Sequence, residues 1–240
     1  MNIDRIQIIG RGNVASHLAK ALSPHVKAEI VNPHTLEGLN QDTPLTIISV
    51  TDDAIQEAAH RISGKSGIVC HTSGSKPMQL LEGTAEHIGV FYPMQTFSKN
   101  VALDYSEIPF FIEGDCPETA GTLKSVASLI SGNVRECTSQ SRRLLHIAAV
   151  FCCNFPNHLY AIASEILKDE EMDLSVMLPL IKESAGKIIN GNEPSKVQTG
   201  PAARNDRRTI AGHMEYLQEH HPDYADLYAR LSESIIHRSK

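Results

Sequence analysis

No apolar run in this sequence approaches the roughly 20 residues that cross a bilayer, so no membrane-spanning helix is expected and no membrane partner is anticipated. The basic excess that a nucleic-acid footprint needs is also missing. Formal net charge is −6 over 240 residues, which argues against nucleic acid as a partner. Cysteine is scarce and unpatterned. The five (Cys70, Cys116, Cys137, Cys152 and Cys153) show no metal-ligand spacing, and Cys152 and Cys153 are adjacent. That adjacency suits neither a CxxC redox pair nor an ordinary disulfide. Reduced thiols in a cytoplasmic protein, with no metal, are expected. The chain runs directly into a strand at Arg5, so no signal peptide is expected. Internal repeats and low-complexity segments are absent too.

What is present is ordinary globular material, 41% hydrophobic and 21% charged, in two stretches of different rhythm. Up to about residue 137, short apolar runs alternate with helical stretches. Strands are expected near Arg5–Gly10, Lys27–Asn32, Leu45–Val50, Gly67–His71, Ile88–Tyr92 and Pro109–Glu113, with a short one near Val134–Cys137. Helices are expected at Asn13–Leu22, Asp52–Ile62, Met78–Gly83 and Pro117–Ile130. Strands separated by helices pair in parallel through right-handed crossovers. After residue 137 no strand signal recurs. A helix capped by Thr138 or Ser139 runs through Leu144–Phe151, apolar almost all round and therefore expected to be buried on several sides. Pro156 should kink or interrupt it. Tyr224, Leu227, Tyr228, Leu231 and Ile235 recur at helical spacing on one face. The expected fold is α/β, an N-terminal Rossmann-type doubly wound, mostly parallel sheet over residues 1–137, followed by an all-α domain over 138–240.

The sharpest motif is Gly10-Arg11-Gly12-Asn13-Val14-Ala15, placed directly after Ile6-Gln7-Ile8-Ile9. The glycines allow a tight turn and close approach of backbone to a pyrophosphate. Ala15 lets the following helix pack close to the strand. The helix N-terminus then offers free N–H groups and a positive dipole end to the phosphates. NAD-selective sites carry Asp or Glu at the end of the second strand. Here that stretch reads Val31-Asn32-Pro33-His34-Thr35, with no acid. Asn32, His34, Thr35 and Arg11 are donors suited to a 2′-phosphate, so NADP is the expected cofactor. The plainer alternative is that His34 and Thr35 begin the next helix and Arg11 is a solvated side chain.

Ligands in open α/β sheets bind beyond the carboxyl ends of the strands. Three such loops carry polar clusters: Ser49-Val50-Thr51-Asp52-Asp53, His71-Thr72-Ser73-Gly74-Ser75, and Tyr92-Pro93-Met94-Gln95-Thr96-Phe97. Val50, Thr51 and Thr72 are expected cofactor contacts, although Thr51 or Asp52 is equally suited to capping a helix. His71 is either a proton donor or a hydrogen-bonded structural histidine. Ser73 has no nucleophile-elbow context and is expected only to assist.

These loops, read with Asn154-Phe155-Pro156-Asn157-His158 and Thr199-Gly200-Pro201-Ala202-Ala203-Arg204-Asn205-Asp206, resemble a bacterial family of Rossmann-like proteins with a helical C-terminal domain of uncharacterised function. Its members are labelled NADP- or deazaflavin-dependent oxidoreductases. The resemblance covers nearly the whole chain. It extends to pyrroline-5-carboxylate reductases, ketopantoate reductases and β-hydroxyacid dehydrogenases, which join a Rossmann domain to a helical domain that supplies catalytic residues and the dimer interface. The dehydrogenases carry a lysine and an asparagine four apart on the first long helix of the second domain. This sequence departs from them, offering Asn154 and His158 there. An amide can orient a carbonyl and an imidazole can donate a proton. The alternative is that both satisfy backbone groups freed by Pro156. The resemblance implies hydride transfer between nicotinamide and a small carbonyl, imine or hydroxy-acid substrate, or else an NADP(H)-binding sensor without turnover. A homodimer through the helical domain is expected.

Overall fold

A computed structural model describes residues 3–99 and 101–238. The chain divides into two compact units, Met1–Cys153 and Asn154–Lys240.

The first unit is built on a seven-stranded sheet: β1 (Arg5–Ile9), β2 (Lys27–Val31), β3 (Leu45–Ile48), β4 (Lys65–His71), β5 (Ala85–Pro93), β6 (Phe110–Gly114) and β7 (Val134–Glu136), in the spatial order β2-β1-β3-β4-β5-β6-β7. Pairing is parallel throughout except between β5 and β6, which run antiparallel with Phe91 opposite Ile112. The reason lies in the connection. Among the described residues between Pro93 and Phe110 the one regular element is a three-residue 3-10 turn, Tyr105–Glu107, whereas a parallel return usually runs through a crossover helix.

Residues of alternating parity along the strands feed two cores. Ile6, Ile8, Leu45, Ile47, Phe91 and Phe110 pack with Leu18 and Leu22 of α1 (Asn13–Leu22) and with Leu123 and Val126 of α3 (Pro117–Ala127). Ile9, Val31, Ile48, Val69, Val90 and Phe111 pack with Ile55 and Ala59 of α2 (Ile55–Arg61), and with Leu81. Apolar material on both faces is what a parallel sheet covered by helices requires.

Helix α4 (Ser139–Ala149) belongs to this first unit, so the compact division falls later in the chain than the change of rhythm after residue 137. Thr138 caps it, accepting from the Ser141 N–H at 3.2 Å. What ties it to the sheet is polar. Arg142 has no exposed surface. Its guanidinium donates to Glu113 of β6, to the Ser73 carbonyl at 3.2 Å, to the Lys76 carbonyl at 2.7 Å and to Ser139 Oγ at 3.1 Å. Glu113 in turn accepts from the Ser139 N–H at 3.0 Å and the Ser139 hydroxyl at 2.8 Å. The apolar segment expected to be buried on several sides is not. Leu145 packs on the second core, but Leu144 and Phe151 are 63% and 66% exposed. One face of the helix is held by Arg142, and the other faces outward.

The helix passes through a π turn, Val150–Asn154, into α5 (Phe155–Leu167). The wider turn receives Pro156 in the first turn of α5, where a missing N–H costs little. The second unit contains α5, α6 (Leu178–Ile189), α7 (Arg207–His220) and α8 (Pro222–Arg238). Asp206 caps α7, accepting from the Thr209 N–H at 3.1 Å. On α8 the buried positions are the small residues Ala225 and Ser232, while Leu231 of the anticipated apolar face is 42% exposed.

Replacing Arg142 by Ala leaves Glu113 and two buried carbonyls without their donor. The expected loss is about 3–5 kcal/mol, read as a lower urea midpoint. A midpoint equal to that of the unmodified protein would show that α4 is held by something else.

Candidate functional site

A pocket of about 720 Å³ opens along the carboxyl ends of the strands of the first unit. Its residues come from the loop after each strand in turn: His34 after β2, Arg11 and Gly12 after β1, Ser49–Asp52 after β3, Thr72–Gly74 after β4, and Tyr92 with Pro93 at the end of β5. From β2 to β5 is four strand intervals, about 19 Å at the usual spacing. This is a long slot, suited to an extended ligand.

The glycine loop follows β1, one strand in from the β2 end. Gly10 donates to the Val31 carbonyl at 3.1 Å, and a Cβ on Gly10 would sit 2.0 Å from the Ser49 carbonyl oxygen and 3.2 Å from the Ala15 Cβ. Only glycine lets β1, the turn and the loop after β3 approach so closely. Gly12 is the N-cap of α1, with no side-chain cap and no acid in the first turn. The free N–H groups at Asn13 and Val14 therefore keep their capacity for an anion. Asn13 Nδ2 donates to the Phe97 carbonyl at 2.9 Å, drawing the loop after β5 over the slot.

At the β2 end, Arg11, His34 and Arg61 line the pocket. Arg61 was not evident from sequence. It comes from the last turn of α2 and donates to the carbonyls of Pro33 and His34 at 2.6 and 2.7 Å. Asn32 and Thr35 do not line the pocket. Asn32 Oδ1 accepts from the His34 N–H at 3.0 Å and Thr35 Oγ1 from the Glu37 N–H at 3.4 Å, so both side chains shape their own loop. The carboxylate of this wall, Glu57, comes from α2 and not from the end of β2.

Further along, Val50, Thr51, Thr72 and Ser73 line the slot. Thr72 Oγ1 donates to Ser49 Oγ at 3.3 Å. Ser73 Oγ accepts from the N–H groups of Ser75 and Lys76 at 3.1 and 3.0 Å, which makes it the hinge of a turn. His71 lies beneath and is fully buried. Its Nδ1 accepts from the Ser73 N–H at 3.1 Å, so the proton sits on Nε2, which faces the Pro77 carbonyl at 3.3 Å. Burial, then the nearby Arg142 cation, lower its pKa to about 4, and it stays neutral. Of the two roles open to His71, this geometry matches the structural one. Asn154 and His158 are exposed in the second unit and are not among the lining residues. Tyr92 and His146 are. Tyr92 stood in a loop expected to wall the cleft, but nothing in the helical pattern of α4 singled out His146.

A parallel sheet wound on both sides, with a glycine turn and a helix N-terminus opening into a slot at its carboxyl edge, defines a Rossmann-type fold, here followed by a helical region. Residues 108–235 match the model of a domain of unknown function, DUF2520, and the chain belongs to that family. A Bacteroides fragilis protein described as a putative NADP oxidoreductase is 41% identical, covers 98% of each chain, and superposes with a TM-score of 0.89. A Thermotoga maritima protein is 19% identical over 98% of each chain, with a TM-score of 0.74. The reductive aminase of Aspergillus terreus, solved with NADPH and ethyl-5-oxohexanoate, shares the fold at 12% identity and a TM-score of 0.67, over 97% of this chain and 95% of that one. No curated protein matches the sequence.

His71 sets a pH dependence. Its folded pKa is depressed, so the unfolded chain binds the extra proton between about pH 6.5 and 4, and stability falls as pH drops through that window. Between pH 7.5 and 5 the His71 contribution is about 2 kcal/mol. Urea unfolding of His71→Gln at the two pH values should lack that difference. An identical pH dependence in the variant would exclude His71 as its source.

Proposed function

We propose that the protein is a cytoplasmic NADP-dependent oxidoreductase that moves a hydride between nicotinamide C4 and a small carbonyl, imine or hydroxy-acid substrate. The observation that carries this reading is the pocket: an uncapped helix N-terminus after β1 and three basic side chains, Arg11, His34 and Arg61, on its wall. N–H groups at a helix start take a pyrophosphate, and arginine forks take a phosphate monoester. No carboxylate ends β2 to repel a 2′-phosphate or to hold a bare ribose. The Bacteroides fragilis relative, described as a putative NADP oxidoreductase, supports the same cofactor.

In this reading the backbone of Gly12, Asn13 and Val14 receives the pyrophosphate, while Gly10, whose N–H is bonded to the Val31 carbonyl, shapes the turn. Val50, Thr51 and Thr72 lead toward the nicotinamide, and His71 and Ser73 shape the loop beneath it. Asn32 and Thr35 hold His34 in place. The bound cofactor supplies the hydride. Asn154 and His158, the sequence candidates for orienting the carbonyl and donating the proton, lie outside this pocket and carry no step in this reading.

NADPH should bind at least about tenfold more tightly than NADH by fluorescence titration. Arg61→Ala should weaken NADPH about tenfold, or about 1.4 kcal/mol, and leave NADH unchanged. A preference for NADH would overturn the phosphate assignment. NADPH binding with no oxidation across a broad set of small carbonyl acids and imines would favour a cofactor-binding sensor.

We also propose a homodimer built on the helical region. Helix α6 buries none of its residues, and Leu178, Leu180 and Ile189 are 55%, 66% and 82% exposed. Exposed apolar surface of this kind marks association sites. Sedimentation should give twice the chain mass, and a monomer at micromolar concentration would refute the proposal.

A further inference from the structure

The β5 end of the pocket holds two groups that phosphate binding does not use. Tyr92 closes β5, only 8% exposed, and His146 lies on α4 one turn beyond Arg142. The Tyr92 hydroxyl and His146 Nδ1 are 3.2 Å apart, and the two rings meet edge-on with centroids at 6.0 Å. Gly74 makes room for them. A Cβ there would lie 2.7 Å from both His146 Nδ1 and Tyr92 Cζ, so the loop after β4 can pass under the pair only as glycine.

Their place along the slot follows from strand order. A dinucleotide with its phosphate monoester at β2 and its pyrophosphate over β1 extends across β3 and reaches β4 and β5 with its other ring. Other polar groups at that end serve their own loops. Ser73 Oγ receives two backbone N–H groups, Ser75 donates to Asp52, and His71 lies buried under the loop.

We propose that Tyr92 is the proton donor of the reaction and that His146 is the positioning residue that orients and reprotonates it. The assignment rests on the oxidoreductase reading above. As a hydride leaves nicotinamide C4 and bonds to the substrate carbon, the π pair of the C=O or C=N bond moves to its heteroatom. That atom takes the Tyr92 hydroxyl proton, giving an alcohol or amine and oxidised NADP. The phenolate recovers a proton from His146 Nδ1–H, and water resupplies the imidazole. The net reaction consumes one NADPH and one solvent proton. Burial raises the Tyr92 pKa, so the hydroxyl is present at neutral pH. The charged or titratable groups around it are His146, Arg142, Asp52 and Cys153.

The test uses the full chain with Tyr92→Phe and His146→Gln. NADPH titration comes first, and the unmodified protein and both variants should bind within about threefold of one another. Oxidation of NADPH is then followed with pyruvate, glyoxylate and pyrroline. Tyr92→Phe should lower kcat at least about 100-fold with the melting temperature unchanged. His146→Gln should lower kcat about tenfold and leave KM unaltered, a split that a merely structural role would not produce. A Tyr92→Phe enzyme within threefold of the original rate overturns the assignment and leaves the oxidoreductase reading intact. An unmodified protein that binds NADPH but reduces none of the three probes overturns the assignment and leaves a cofactor-binding protein. Failure to bind NADPH at all removes both readings.

Discussion

Arg142 is a guanidinium with no exposed surface, and such a group persists only where every donor is answered. Here the answering groups come from three places: the Glu113 carboxylate of β6, the carbonyls of Ser73 and Lys76 in the loop after β4, and the Ser139 hydroxyl of its own helix. None of these segments can shift without leaving a charge unpaired in a desolvated position. The ion pair therefore acts mainly as a specifying device. It fixes how α4 lies on the sheet, which turn the Thr72–Lys76 segment adopts, and, one helical turn further on, where His146 points. The same cation helps keep His71 neutral, and His71 holds the Ser73 N–H.

The rest of the site is a consequence of sheet geometry. Parallel strands deliver their carboxyl ends to one edge, so the loops after β1, β2, β3 and β4 open side by side there. β5, although it pairs antiparallel with β6, runs parallel to β4 and ends at that same edge. Close approach is obtained by removing side chains. Gly10 lets the turn press against Ser49 and Ala15, and Gly74 lets Tyr92 and His146 meet above the next loop. Between these two contacts the wall is lined mostly by small polar residues.

Much of this was legible in the residues. The strand and helix pattern of the first unit follows from runs such as Ile6–Ile9 and Leu45–Ile48 and from the glycine turn, and α1 spans Asn13–Leu22 as its periodicity indicates. The antiparallel β6 was less visible, because its cause is the absence, among the described residues, of a crossover helix between Pro93 and Phe110. Among the site residues, Arg11, Gly12, Asn13, Val14, His34, Val50, Thr51, Thr72 and Ser73 lie on the pocket wall, each within five residues of a strand end, whereas Gly10 does not. Asn32 and Thr35 have the right chemistry, but their polar atoms are used within their own loop. Arg61 and His146 escaped notice because each sits on a helix, His146 inside the apolar run Leu144–Ala149, and periodicity does not say which polar residue of a helix turns toward a distant loop.

By itself the sequence determined the class of fold, the position of the anion-binding turn and the lack of an acid at the end of β2. These depend on local spacing: a period of two or 3.6, two glycines before a helix, four residues after a strand. The tertiary structure alone decided that α4 belongs with the sheet, that His71 is a buried support, and that Tyr92 and His146 share one end of the slot. Those outcomes depend on contacts between residues tens of positions apart, such as Arg142 with Glu113 and Tyr92 with His146. Whether a polar side chain is spent on its own backbone or left to face a ligand is settled by which neighbours folding brings within hydrogen-bond reach.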